Sequence, residues 1–388
     1  MKKLIKATII VCILLLSAGF VYAADDVGIN IDGTQVEFTQ DSGQPFIDEN
    51  GRTQVPFRQA LEAFGATVDW DADTKTAIAE KDGTVVKVPI GADYIYRGDL
   101  KIMNDTQSLI KDSHTYLPIR IVLEAFGADV SYDAKTRTVT VQSDGKTLSL
   151  SILSAEVNAA MEQIESMDAD MTMNISMEVA GEELDVTEVA KMNMFYDPLR
   201  IRISGSTNTG GEDVSMDTYM IQSGDNLDVY ISVGDADYTK EMSMNIADYS
   251  DSMKNEDLSL MIPQFQNSGA DTVNGTAVVK LEGKISKEMM EAVFSSQDFL
   301  NAMSSIEGEQ VDNLVAADIP MTIWVDTESK MIVKYAFDVK DYLASVMQSA
   351  IAGAGEDVDF SVSKATVEMT ASNINNATEF TVPANLPE

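Results

Sequence analysis

One segment of this chain is written twice. Val55 to Ala79 matches Leu117 to Val141, 62 residues further on, at 13 of 25 positions, including Pro56/Pro118, Arg58/Arg120, the run Leu61 to Ala66 against Leu123 to Ala128, Asp71/Asp133 and Thr74/Thr136. A repeat of this kind exposes the architectural unit before any finer reading. In each copy the proline stands where a helix begins, because it lacks the amide hydrogen that the first turn leaves unpaired. Gly65 and Gly127 end the helices by accepting a left-handed backbone. Between these signals Phe57, Ala60, Leu61 and Phe64 recur at helical spacing, and Ile119, Val122, Leu123 and Phe126 repeat it, so each helix has one apolar face. Helices of roughly nine residues are marginal alone in water, so each is expected to lie against a sheet.

The strands of that sheet are predicted at Gly28 to Ile31 and Gln35 to Phe38 around an Asp32-Gly33 turn, at Val68 to Trp70 with Ala77 to Ala79, and at Val130 to Tyr132 with Thr138 to Val141. Short strands with turns between them are expected to pair antiparallel. Asp69, Asp71 and Asp73, with Glu80 further on, imitate an EF-hand calcium loop, but the position that needs glycine is Thr74 and the second copy, from Ser131 to Asp133 onward, loses all of these carboxylates but Asp133; a hairpin turn accounts for the same residues. Arg58 and Arg120 have two readings, as anion binders or as partners of acidic turns. The second is favoured, because a cation beside a helix N-terminus is not helped by the dipole and needs a carboxylate nearby.

The run Gly51-Arg52-Thr53-Gln54-Val55-Pro56-Phe57-Arg58 through Glu62-Ala63-Phe64-Gly65-Ala66-Thr67-Val68-Asp69-Trp70-Asp71, echoed by His114-Thr115-Tyr116-Leu117-Pro118-Ile119-Arg120 through Glu124-Ala125-Phe126-Gly127-Ala128, resembles the copper amine oxidase N-terminal, or stalk, domain family over residues 27–143. The resemblance implies a small α+β unit, an antiparallel sheet wrapped on helices, that is an appendage and not the catalytic body. In it Pro56, Arg58, Gly65, Pro118, Arg120 and Gly127 are the structural residues of the repeat. Oxidase chemistry does not follow. A copper site of that kind needs several imidazoles, and the only histidine is His114, whose repeat counterpart is Arg52. The Asn-Tyr-Asp/Glu motif of the oxidase is also absent. No cofactor and no catalytic residue is assigned.

The first 23 residues read as a secretory signal: Lys2, Lys3 and Lys6 precede an apolar run from Ala7 to Leu16, and Val21 and Ala23 offer a peptidase its small-residue site. Broken by Ser17 and Gly19, this stretch falls short of the roughly 20 apolar residues that span a bilayer. Cleavage would leave 24 basic residues of the original 27 against 63 acidic ones, a net charge of −39, and would remove Cys12, the only thiol. Such a surface repels nucleic acid, and the processed chain has neither disulfides nor thiolate metal sites. A secreted or cell-surface location outside the cytoplasm is therefore expected, with no membrane span in the processed form.

Past a linker at Ser143 to Lys146, a helix is predicted from about Ser154 to Ser166 through the stripe Val157, Ala160, Met161 and Ile164. The period then changes from 3.6 to 2. Met171, Met173, Ile175 and Met177 alternate with polar residues, as do Met192 with Met194, Ile201 with Ile203, Met216 with Met220 and Met242 with Met244, which reads as a half-buried antiparallel sheet. Later strands are expected at Val278 to Leu281, Met321 to Val325, Met331 to Val339 and Phe360 to Met369, with helices after Ser286, including Met289, Met290 and Val293, and near Asp341 to Ala350; Asn301 to Asp318 has no clear period. The expected fold is α+β: a small antiparallel sheet-plus-helix stalk domain with an internal repeat, then a curved, half-barrel-like antiparallel sheet with covering helices, over residues 152–388. The order of helix, Met-rich strands, Trp324-Val325-Asp326-Thr327-Glu328-Ser329-Lys330-Met331-Ile332-Val333-Lys334 and a closing Pro383 is similar to bacterial envelope proteins of the LolA/LppX kind, half-barrels that hold lipid or other apolar molecules.

Methionine suits an apolar surface that must adapt to varied shapes, and it equally fills ordinary cores, so Met171, Met173, Met177, Met192, Met194, Met216, Met220, Met242, Met244 and Trp324 stand either as an apolar ligand face or as packed interior. The function expected first is a non-catalytic binding protein of the cell envelope, holding a lipid, another apolar small molecule or a peptide, or meeting an envelope protein. The second is a structural or adhesive surface module with no small ligand. If the amino end is an export signal, the amino-terminal sequence of protein recovered from outside the cell will begin at Ala24 or Asp25, and a thiol titration of that material will find none.

Overall fold

The computed structural model describes residues 27–145, 149–209, 211–246, 262–287, 317–354 and 358–387, and divides the chain into two compact units, residues 1–152 and 153–388. The expected signal, the helix expected at Met289, Met290 and Val293, and residues 301–316 lie outside the described residues.

In the first unit, β1 (Gly28–Ile31), β2 (Thr34–Gln35), β3 (Phe46–Ile47) and β4 (Thr53–Pro56) lead into helix α1 (Phe57–Ala63). A meander follows: β5 (Thr67–Asp71), β6 (Thr76–Lys81), β7 (Thr84–Pro89), β8 (Tyr94–Arg97) and β9 (Leu100–Met103). The second copy of the repeat supplies β10 (Leu109–Lys111), β11 (His114–Pro118), helix α2 (Ile119–Ala125), β12 (Asp129–Asp133) and β13 (Thr138–Gln142). Three sheets result, ordered β12-β13-β1-β2, β10-β11-β4-β3 and β5-β6-β7-β8-β9.

The two copies meet through a local two-fold. Antiparallel pairing of β4 with β11 sets Val55 opposite Leu117, its own repeat counterpart, and then Pro56 opposite Tyr116 and Gln54 opposite Pro118, which are again exchanged equivalents. Val55 and Leu117 are buried at that axis, and the equivalent rings of Phe64 and Phe126 approach to 5.8 Å between centroids. Both helices end alike. Gly65 and Gly127 each have φ +87°, Ala66 and Ala128 donate backbone bonds to Leu61 and Leu123, and Gly65 and Gly127 donate to Glu62 and Glu124, the paired bonds of a Schellman cap.

Some expectations change. Pro56 and Pro118 are the last strand residues and the residues before the first helical turn, since their fixed φ serves an extended chain as well as a helix entrance. Arg58 pairs with Glu62 one turn along its own helix, at 3.3 Å, and not with an acidic turn. β2 is shorter than predicted, and β1 runs parallel to β13, Gly28 beside Thr138 through Ile31 beside Val141. In the first copy the corresponding edge of β6 is taken by β7 through a tight hairpin; in the second that edge is filled by a strand from far away in sequence, so no hairpin dictates its direction. The two aspartate turns are alike: Asp71 accepts from the amides of Asp73 and Thr74, and Asp133 from those of Lys135 and Thr136.

Helix α3 (Leu150–Met161) begins and ends a few residues earlier than predicted. The second unit is built on β14 (Ser166–Val179), β15 (Glu182–Tyr196), β16 (Leu199–Thr209), β17 (Glu212–Ser223), β18 (Asn226–Val233), β19 (Thr239–Asn245), β20 (Gln266–Val273), β21 (Thr276–Ile285), β22 (Ile319–Asp326), β23 (Ile332–Asp338) and β24 (Phe360–Ser372), with helix α4 (Lys340–Ala354) before β24. These form one curved antiparallel sheet of eleven strands, ordered β19-β18-β17-β16-β15-β14-β24-β23-β22-β21-β20. Two meanders are joined where the first strand, β14, pairs with the last, β24. The pairings that hold the edge strands β19 and β20 each carry a register shift, at Val229/Tyr230 and Asn267/Gly269, irregularities that discourage further strands from adding. Because Leu117 is almost wholly buried at the two-fold, Leu117→Ala will lower the stability of the first unit by about 2–5 kcal/mol, read as a shifted urea midpoint in the full chain.

Candidate functional site

In an antiparallel ladder, directly opposed residues share a face, and the side-chain period of two separates the faces completely. Reading the pairs across the large sheet gives one apolar face in continuous rows. The row through Met167 runs to Met194, Ile201, Met220 and Val229. The row through Met171 runs to Met369, Tyr335, Ile323 and Leu281 on one side and to Ala190, Gly205, Met216 and Val233 on the other. Met173 and Met177 lie further along β14 on the same face, opposite Val367 and Val362. Met192 pairs between Ala169 and Ile203, and Met242 and Met244 take the register positions opposite Val229 and Leu227.

Burial is uneven over this face. One end is core: Met167, Met194, Leu199, Ile201, Leu227 and Ala371 pack with Ile164, which follows α3, while Met161, Met192, Met220, Ile246 and Ile374 pack around them. Near β21, Phe265 fills the space beside Gly283, where an added Cβ would stand 2.2 Å from its ring; Phe265 and Ile262 are both buried there. Between these closures Met171, Met173, Met177 and Met216 are only half-buried, and Val214 and Val233 are 43% and 50% exposed. At Gly205 the strands come so close that a Cβ would lie 2.2 Å from the carbonyl oxygen of Val189, a local approach that only glycine permits.

Trp324 does not belong with the methionines. It pairs with Lys280 and Lys334, residues of the opposite, polar face, and its indole donates to Asp271 at 2.8 Å while the two ammonium groups stand 5.9 and 4.9 Å from its ring. The spacing of a single strand shows that Trp324 and Ile323 alternate but not which of them faces the methionines. That is set by the cross-strand register, which puts Ile323 opposite Tyr335 and Tyr335 opposite Met369.

The polar face satisfies its own charges. Arg202 holds Asp217 through two bonds of 3.0 and 3.2 Å, which strengthens the guanidinium's hold on its proton. Tyr238 donates to the same carboxylate at 2.8 Å, and burial together with that negative neighbour pushes the phenol's pKa well up. Asp228 is buried and accepts from Ser243 at 2.6 Å and from Lys240 at 3.2 Å; burial works to raise its pKa, and these bonds outweigh it and lower it. The chain end crosses this face as a strap. Thr378 donates its hydroxyl at 2.7 Å and its amide at 3.0 Å to Asp168, which also accepts from Asn193 and Asn373. Phe380 packs on Phe195 and Tyr219. Here too burial would raise the Asp168 pKa, and the donors from Asn373, Asn193 and Thr378 bring it below the ordinary carboxylate value.

In the first unit the predicted residues do not converge on one site. His114 opens β11, and its Nε2 donates to the Asp41 carbonyl at 2.8 Å. Arg120 and Glu124 line a cleft of about 480 Å³ with Gln142 and Ser149; burial raises the Glu124 pKa although Ser149 donates to it at 2.8 Å. Among the described residues no group of three or more His, Cys, Asp or Glu is placed to hold a metal, and no helix is long and apolar enough to cross a membrane.

Residues 149–387, more than half of the chain, match the family of unknown function DUF6612, and the chain belongs to that family. Residues 30–141, and again 99–176, match the copper amine oxidase N-terminal domain. Among solved structures the chain is similar to the lipoprotein LppX of Mycobacterium tuberculosis, with 16% identity and a TM-score of 0.34 over 58% of this chain and 97% of that one. It is similar also to LprF from Mycobacterium bovis, with 16% identity and a TM-score of 0.32 over 61% and 96%, and to a DUF1329 family protein from Desulfovibrio piger, with 11% identity and a TM-score of 0.21 over 58% and 92%. No curated protein matches the chain.

The strap yields a pH prediction. A carboxylate whose folded pKa is lowered stabilises the fold above its unfolded pKa of about 4, and that contribution is lost as pH falls through the folded value. Asp168→Asn will cost about 1 kcal/mol at pH 7 and progressively less in acid, as read from urea unfolding at both pH values.

Proposed function

We propose that this protein is an exported, non-catalytic binding protein of the cell envelope whose second unit holds an apolar molecule against the methionine face of its large sheet. The observation that carries the reading is the uneven burial of that face, packed at the α3 end and beside Phe265 and half-buried from Met171 to Met177 and across to Met216. A sheet surface serving only as core is closed along its length, whereas a ligand site is concave, mostly apolar and supplied with few polar groups. Methionines fit the second task, because their unbranched, polarisable side chains re-pack around different shapes at little cost. Export rests on the amino-terminal residues Lys2, Lys3 and Lys6 and the apolar run after them.

Native mass spectrometry of protein recovered from its host, followed by organic extraction, is expected to show an apolar molecule bound one to one. Met173→Asp will release it and reduce binding of a fluorescent apolar probe at least tenfold, with the far-ultraviolet circular dichroism unchanged. Protein that leaves its host empty, binds no apolar probe and captures a protein partner in a salt-sensitive way would instead favour the surface-module reading, since exposed charges are screened by salt.

A further inference from the structure

Glu188 stands in the middle of the methionine face. It lies directly opposite Met173 on β14 and Thr207 on β16, and its neighbours along the same face of β15 are Val186 and Ala190. The row it occupies continues through Val367, Phe337 and Met321 on one side and to Val214 on the other. Among the described strands the other carboxylates that register assigns to this face, Glu182 and Glu212, stand at strand starts. Glu188 alone is interior to it.

The polar face shows how this protein treats carboxylates it means to keep: Asp168, Asp217 and Asp228 are each met by two or more donors. Glu188 is half-buried on an apolar surface, and no donor or cation among the described residues reaches it. A charge withdrawn from water without a partner costs free energy. That cost is offset when the molecule filling the face brings the opposite charge to that point.

Resting on the binding function proposed above, we infer that the occupant is an amphiphile with a cationic head: an ammonium group on the Glu188 carboxylate, beside the Thr207 hydroxyl, and a hydrocarbon tail along Met173, Met171, Met177 and Met216. The apolar rows accept the tail without regard to its detail, and the single carboxylate selects the head, as a placed polar group does in an otherwise greasy pocket. Charge complementarity at one position distinguishes this occupant from neutral and anionic lipids.

The test is competition of dodecylammonium and of uncharged dodecanol, each below its aggregation limit, against a fluorescent apolar probe on the full chain. Wild-type protein is expected to prefer the ammonium by about tenfold, and Glu188→Gln, which keeps the side-chain shape, is expected to abolish the preference while leaving dodecanol binding as it was. Glu183→Gln, exposed on the polar face, controls for the overall negative charge of the protein and will retain the preference. A preference that survives in Glu188→Gln, or is lost equally in Glu183→Gln, overturns the assignment and leaves apolar binding standing. If neither amphiphile displaces the probe from wild-type protein and the probe itself does not bind, the underlying binding function fails, and this inference fails with it.

Discussion

The second unit depends on the register between β14 and its two neighbours. β14 pairs with β15 over its whole length and with β24 on its other side, so it sets the phase of both meanders at once. Because side chains alternate with a period of two, a slip of one residue would carry Met171 and Met173 to the polar face and bring Thr172 and Asn174 to the apolar one. The register is protected by what it buries. Met167, Ala169, Met194 and Ile201 fill one end of the apolar face, and Asp168 can meet Asn193, Asn373 and Thr378 only in this phase.

The two faces of this sheet answer different physical demands. On the polar face, charges and hydroxyls are matched with one another and with the chain end, so polar groups lose little on leaving water. The Arg202, Asp217 and Tyr238 group and the strap through Thr378 and Phe380 are of this kind. The apolar face draws on residues from outside the sheet for cover. Ile164 and Ile374 close one end and Phe265 part of the other, and the surface between them keeps apolar side chains at intermediate burial. Glu188 breaks the pattern of both faces, a carboxylate among hydrocarbons that, among the described residues, lacks the donors its counterparts enjoy.

In the first unit, duplication has become symmetry. Val55 meets Leu117 across a local two-fold, each copy lending the other the apolar partner that a seven-residue helix and a short strand lack on their own. The copies diverge at their edges, where the hairpin β6-β7 of the first is answered in the second by the parallel addition of β1 to β13.

Local signals in the sequence sufficed for much of this. The helix-ending glycines, the aspartate turns, the period-two runs and the duplicated segment are each written within a few residues, and each forms the element that its local chemistry favours. Pairing between distant strands is not local. The parallel partner of β1, the meander β7 to β9, the meeting of β14 with β24 and the burial of Trp324 among lysines all depend on which strand lies beside which, and a single strand's alternation is silent on that. For the same reason the methionines were visible as one stripe but Glu188 was not visible as its centre. Sequence determined the two alternating sets of side chains; the tertiary register alone decided which sets join into one face, because only hydrogen bonding across the sheet brings residues hundreds of positions apart to the same side.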